Sequence, residues 1–215
     1  PEGVRPEQLV YCVQNHDQVG NRPEGDRLSA VVSPAAYRAA SALLLFAPAL
    51  PLLFMGQEWA ASTPWLFFTD HEPGLGARVQ AGRQEEFGAF PGFAGEVPDP
   101  QAPQTFEASK LLWSEPERPP HARTLALYRD LLELRKTLSG DAVAQSPVPG
   151  GLVVERDEHV LLAALKPEVT LPLELGLEEL WRSEAGRYAE NPQAPRFEAG
   201  SVHFPTEGAL LLRRA

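Results

Sequence analysis

Asn15, His16, Asp17, Gln18 and Asn21 crowd one short stretch of this chain, and Gly20 lies among them. They offer a carboxylate, an imidazole and carboxamides that each both donate and accept, a set suited to paired hydroxyl groups. His16 can donate while remaining neutral near pH 7. Gly20 has no Cβ, so backbone can approach a ligand closely there. Arg22 has two readings, as a ligand contact or as the partner of Glu24 or Asp26 in fixing the loop.

Such groups need a scaffold, and the flanking sequence supplies one. Residues 9–13 (Leu-Val-Tyr-Cys-Val) form a continuous apolar run, which predicts a strand buried on both faces, as in a parallel sheet. Parallel sheets carry their chemistry at the carboxyl ends of their strands, so residues 15–21 should stand at a pocket rim. Ser33-Pro34 predicts a helix start that runs to about Phe46, before Pro48. The apolar run 52–55 predicts a second strand, completing a right-handed βαβ unit. The loop 56–70 then faces the same rim, with Trp59 as a stacking platform for an apolar ligand face. Trp65, beside Leu66, Phe67 and Phe68, reads as a core aromatic.

A short helix is expected over 75–87, a surface-wrapping loop over 89–120, and an amphipathic helix over 120–138 with Leu127, Leu131, Leu134 and Leu138 on one stripe. Gly140 reads as its stop. Beyond it, the apolar runs 152–154, 160–165, 171–175 and 209–212 alternate with Pro and Gly turns, which predicts a small antiparallel sheet or sandwich. The fold class expected is α/β followed by all-β, with segments 1–140 and 141–215.

Composition removes several function classes. The chain has 215 residues and a formal charge of −10. That acidity argues against nucleic acid and against anionic membranes. The longest apolar segment, 39–54, is broken by Pro48 and Pro51 and is too interrupted to span a bilayer. The single cysteine, Cys12, excludes an internal disulfide and is compatible with a cytoplasmic setting. Asp70-His71-Glu72 resembles a metal cluster, but three adjacent side chains cannot converge, and no further ligand spacing supports it. There is no Gly-rich phosphate loop, so no cofactor and no metal is expected.

The segment Asn15-His16-Asp17-Gln18-Val19-Gly20-Asn21-Arg22, with Gly25, Arg27 and Leu28, resembles a signature of the alpha-amylase superfamily of glycoside hydrolases, and within it the maltooligosyltrehalose trehalohydrolase branch. Residues 51–59 (Pro-Leu-Leu-Phe-Met-Gly-Gln-Glu-Trp), 67–71 (Phe-Phe-Thr-Asp-His), 82–87 (Gly-Arg-Gln-Glu-Glu-Phe) and 97–100 (Val-Pro-Asp-Pro) resemble other stretches of the same branch. The likeness covers roughly the first two-thirds of the chain.

The resemblance implies the last part of a (β/α)8 TIM barrel, strands seven and eight with their helices, followed by a β-sandwich. A complete barrel needs about 250 residues, so a partial barrel is expected, whose partner is the remaining amino-terminal part of the same enzyme. The start of the chain reads as a loop, with neither an initiator Met nor a signal peptide. By resemblance Asp17 is the transition-state stabiliser, and His16, Gln18, Val19, Gly20, Asn21, Arg22 and Trp59 contact an α-1,4-glucan carrying a terminal trehalose (maltooligosyl trehalose). The nucleophile and general acid sit on earlier strands, so Glu58 is neither. The family often has Glu where this chain has Gln57. Two alternatives stand beside this reading: another enzyme of the superfamily (branching, debranching or amylase), and a non-catalytic glucan-binding module.

Overall fold

The computed structural model describes residues 3–88 and 97–214. Its first layer is helical around one pair of parallel strands. In chain order these elements are β1 (Val10–Tyr11), α1 (His16–Gly20), α2 (Leu28–Val31), α3 (Pro34–Phe46), β2 (Leu50–Pro51), α4 (Pro73–Gly88), α5 (Pro103–Ala108) and α6 (His121–Arg135). Ten-strand numbering continues through β3 (Val143–Gln145), β4 (Gly151–Arg156), β5 (His159–Ala164), β6 (Val169–Pro172), β7 (Leu177–Arg182), β8 (Arg196–Glu198), β9 (Ser201–Phe204) and β10 (Gly208–Arg214). No helix among the described residues is long and apolar enough to cross a membrane.

β1 and β2 pair in parallel, Val10 opposite Leu50 and Tyr11 opposite Pro51. The expected strand over 9–13, buried on both faces, is corrected here. Only Val10–Tyr11 belongs to a ladder, and Val10 is 60% exposed. Among the described residues β2 is the one strand paired with β1. The second strand is Leu50–Pro51 rather than 52–55, although the amide of Leu52 still donates to the Tyr11 carbonyl at 2.8 Å.

α3 starts as predicted. The Ser33 hydroxyl accepts from the Ala36 amide at 3.0 Å, and Pro34 occupies the first turn. Its small residues Ala39 and Ala42 are fully buried, so backbone packs close to its neighbours. The carbonyls left over at its end are met from two other elements. Arg135 of α6 donates to the carbonyls of Leu45, Ala47 and Ala49, and Arg156 of β4 donates to that of Phe46 at 2.9 Å. α6 spans His121–Arg135, shorter than the 120–138 expected, and Gly140 beyond it takes φ +72.

The carboxyl-terminal strands form a five-stranded sheet, order β3-β4-β5-β10-β7, and a three-stranded sheet, order β6-β9-β8. Every pairing in both is antiparallel. Here lie the strands buried on both faces. On β5 and β10, Leu161, Ala163, Ala209 and Leu211 face Tyr37, Ala42, Leu127 and Leu131 of the helices, while Val160, Leu162, Leu210 and Leu212 face Leu171, Val202 and Phe204 of the smaller sheet. A continuous apolar run thus marks a middle layer, parallel or not. β4, β5 and β10 match three of the apolar runs and β6 overlaps the fourth at Leu171 and Pro172; β3, β7, β8 and β9 were not anticipated.

Within 89–120 the expected loop is corrected in part. Pro103 opens α5, and a 3-10 turn covers Glu115–Glu117; residues 89–96 of that expectation lie outside the described residues. α4 begins at Pro73, two residues before the expected start, because the Glu72 carboxylate accepts from the amides of Gly74 and Leu75.

Candidate active-site rim

The first loop after β1 turns straight into α1. Asn15, extended at φ −144, accepts from the Gln18 amide at 2.9 Å and so is the cap of the helix. This places His16, Asp17 and Gln18 on the exposed first turn, with Asn21 and Arg22 exposed just past the end. The Asp17 side chain is 71% exposed, and its Oδ1 lies 3.3 Å from His16 Nε2. The carboxylate, the imidazole and two carboxamides therefore share one open surface at the carboxyl end of β1.

Three of the expected contact residues sit in different settings from the rest. Val19 is 2% exposed and Gly20 is buried, so neither is presented to a ligand. A Cβ on Gly20 would lie 3.4 Å from the Trp65 ring, so the residue is small because α1 packs on Trp65. Arg22 is exposed, and its Nε donates to Asp26 at 3.3 Å, as the loop-fixing reading expects. A cavity of about 1010 Å³ lies between α3, α6 and the 184–193 loop, and a second of about 410 Å³ lies beside Trp113; neither is lined by His16, Asp17 or Gln18. A single pair of strands forms one wall of a cleft.

Two buried arginines, neither assigned a role from sequence, hold this wall. Arg27 is 2% exposed and links the two rim loops, donating to the carbonyls of Thr63 at 2.6 Å and Met55 at 2.7 Å. Arg83 of α4 sits over the Phe67 ring at 4.1 Å and donates to the Gly20 carbonyl at 3.0 Å, closing the free end of α1. Gly25 brings the loops together: its φ is +61, its carbonyl accepts from the Trp65 amide at 2.9 Å, and a Cβ there would lie 2.5 Å from the Trp65 carbonyl oxygen. Gly25, Arg27 and Arg83 all fall in stretches that carry the family resemblance, but nothing in the sequence says what they hold together.

In the loop after β2, Gln57 is fully buried. Its Oε1 accepts from the Phe54 amide at 3.2 Å and its Nε2 donates to the Tyr128 hydroxyl at 2.9 Å. A neutral amide supplies both a donor and an acceptor there, which an ionised carboxylate cannot. Trp59 is also corrected: it is 3% exposed, its Nε1 donates to Glu115 at 3.3 Å, and its ring packs on Trp113 at 5.4 Å between centroids. A ring enclosed in this way is no stacking platform. Among the described residues, no three His, Cys, Asp or Glu side chains gather as metal ligands. Asp70-His71-Glu72 is spent locally, Glu72 capping α4 and His71 bonding through its backbone to Gln101.

Glu115 secures the second loop. Burial pushes its carboxyl pKa up, but hydrogen bonds from the Ser62 hydroxyl and amide and from Trp59, with His121 nearby, outweigh burial and hold it below the ordinary value. Its folded-state pKa is therefore lower than its unfolded one, so its contribution is complete above about pH 4.3, the unfolded carboxyl value, and is lost as pH falls through the folded value. Glu115→Gln will destabilise the protein at pH 7, and the gap to wild type will shrink as the pH is lowered below about 4. Denaturant midpoints across pH measure this; a gap independent of pH contradicts it.

No family model matches the chain. The malto-oligosyltrehalose trehalohydrolase of Deinococcus radiodurans is 63% identical over 131 residues, covering 60% of this chain and 22% of that protein. The one from Arthrobacter ramosus is 45% identical over 196 residues (86% and 34%), and that of Mycobacterium tuberculosis is 36% identical over 209 residues (96% and 36%). The chain thus spans 22% to 36% of the length of these curated relatives. Among solved structures, one described as an alpha amylase from Salmonella typhimurium superposes with a TM-score of 0.78 at 34% identity, over 97% of this chain and 36% of that one. An alpha-amylase from H. orenii has a TM-score of 0.53 at 14% identity, over 96% and 40%, a likeness of fold alone. By sequence the chain belongs to the malto-oligosyltrehalose trehalohydrolase family, and its fold is that of the corresponding part of alpha-amylase enzymes.

Proposed function

We propose that this chain is part of a retaining glycoside hydrolase that cleaves the α-1,4-glucosidic bond next to the terminal trehalose of maltooligosyl trehalose, releasing trehalose. The observation that carries this is the 63% identity to the Deinococcus radiodurans trehalohydrolase. The exposed Asp17, standing beside His16 at the end of a parallel strand, supports it. In this reading residues 1–140 are the last part of a (β/α)8 barrel, with β1 and β2 as strands seven and eight, and residues 141–215 are a β-sandwich domain. Parts of the same polypeptide outside this chain contribute the nucleophile and the general acid. A cytoplasmic setting fits the single cysteine.

Retaining hydrolysis needs two carboxyl groups, one forming a covalent glycosyl intermediate and one protonating the leaving oxygen. Asp17 is a further carboxylate. It accepts from sugar hydroxyls as the ring flattens toward the oxocarbenium ion, and its negative charge steadies the positive charge that develops. His16 donates to a neighbouring hydroxyl, and Gln18 and Asn21 offer paired donors and acceptors to the next ones.

The test is the anomer formed first by the full-length protein on maltooligosyl trehalose. Proton NMR should show an α-configured reducing end before mutarotation, together with free trehalose; a β-anomer contradicts retention. The likeness to the Salmonella typhimurium alpha amylase favours a second reading, hydrolysis of plain glucans. Product profiles on linear and branched glucans separate amylase and branching activities from trehalose release.

A further inference from the structure

We propose that the exposed face of Trp113, with the pocket beside it, is a glucose-binding subsite for the glucan portion of the substrate, away from the bond that is cleaved. This rests on reading the α1 rim as a glucan-cleaving site. In this part of the polypeptide Trp113 is 74% exposed. Its ring meets that of Trp59 at 5.4 Å between centroids, tilted by 46°, and Trp59 is itself buried and bonded to Glu115, which Ser62 holds.

The pocket of about 410 Å³ is lined by Met55, Trp65, Phe68, Phe106, Lys110 and Trp113, among others. Its rings meet edge-on, Trp65 with Phe68 at 5.2 Å and Phe68 with Phe106 at 5.1 Å, so they form a continuous aromatic surface. Lys110 stands at its polar border, 4.8 Å above Phe106 and 2.6 Å from Glu107. A pyranose ring has matching chemistry, an apolar C–H face for aromatic surface and a rim of hydroxyls for charged and polar groups. The pocket is also continuous with the rim. Trp65 lines it on one side and packs against Gly20 of α1 on the other, and Met55, which lines it too, accepts from Arg27 between the rim loops. One aromatic ring thus separates this surface from the helix bearing Asp17.

The experiment uses the full-length protein with Trp113→Ala and Trp113→Phe. The first readout is binding of a long linear maltooligosaccharide, by calorimetry, to the Asp17→Asn form; the second is kcat/KM on maltooligosyl trehaloses of increasing length. Trp113→Ala should weaken maltooligosaccharide binding about tenfold, the loss of one aromatic contact, and reduce kcat/KM for long substrates more than for short ones. Trp113→Phe, which keeps a ring, should restore most of both and controls for folding. Unchanged binding, or an equal loss at every substrate length, would overturn the subsite. Failure of the trehalohydrolase reading shows separately, as absence of trehalose release by wild type while the calorimetric effect of Trp113 persists.

Discussion

Asp17→Asn in the full-length protein will lower kcat/KM on maltooligosyl trehalose by roughly two to four orders of magnitude and leave the fold unchanged. The substitution keeps shape and removes charge. In this structure the Asp17 side chain is largely exposed, and among the described residues its ion-pair neighbour is His16, at 3.3 Å. Surface changes of this kind usually alter stability by no more than about 0.5 kcal/mol, so the melting temperature should barely move. The rate effect follows from the transition state. Interactions with the distorted sugar contribute several kcal/mol, and each ~1.4 kcal/mol is tenfold in rate. Steady-state kinetics decide the matter: turnover within a few fold of wild type would remove Asp17 from the reaction.

The second large effect is structural. Arg38 of α3 reaches Glu184, which follows β7, and donates to it through Nε at 2.9 Å and through Nη2. Their side chains are 11% and 2% exposed. Breaking such a pair from one side leaves a buried charge without a counterpart, and costs about 3–5 kcal/mol. Glu184→Ala should therefore strongly destabilise the full-length protein to denaturant. The double variant Arg38→Met with Glu184→Leu should recover much of the loss, because no buried charge then remains. A loss below about 1 kcal/mol for Glu184→Ala would mean that water or another group takes over the role of Glu184.

The α3 start was readable because a serine hydroxyl and a proline act within one turn and need no distant partner. The apolar runs of β5 and β10 were readable as strands for a similar reason. What they pack against was not, since being a middle layer depends on helices far away in sequence. In 9–13, an equally apolar run, the ladder covers Val10–Tyr11 alone, because its length depends on a partner strand distant in sequence. At the rim, the polar character of His16, Asp17, Gln18 and Asn21 could be read from residue type, and all four are exposed. The supports could not. Arg83 acts on Gly20 from 63 positions away, and no local pattern announces that. The two indoles show the same limit. Trp59 and Trp113 are chemically alike, yet Trp59 is enclosed and bonded to Glu115 while Trp113 faces solvent.

The most direct measurement is sugar release by the full-length polypeptide given maltooligosyl trehalose and, separately, a plain maltooligosaccharide of equal length. Free trehalose from the first, with much slower cleavage of the second, is the predicted result. Comparable cleavage of both, with maltose or glucose as the main product, would contradict the trehalohydrolase assignment.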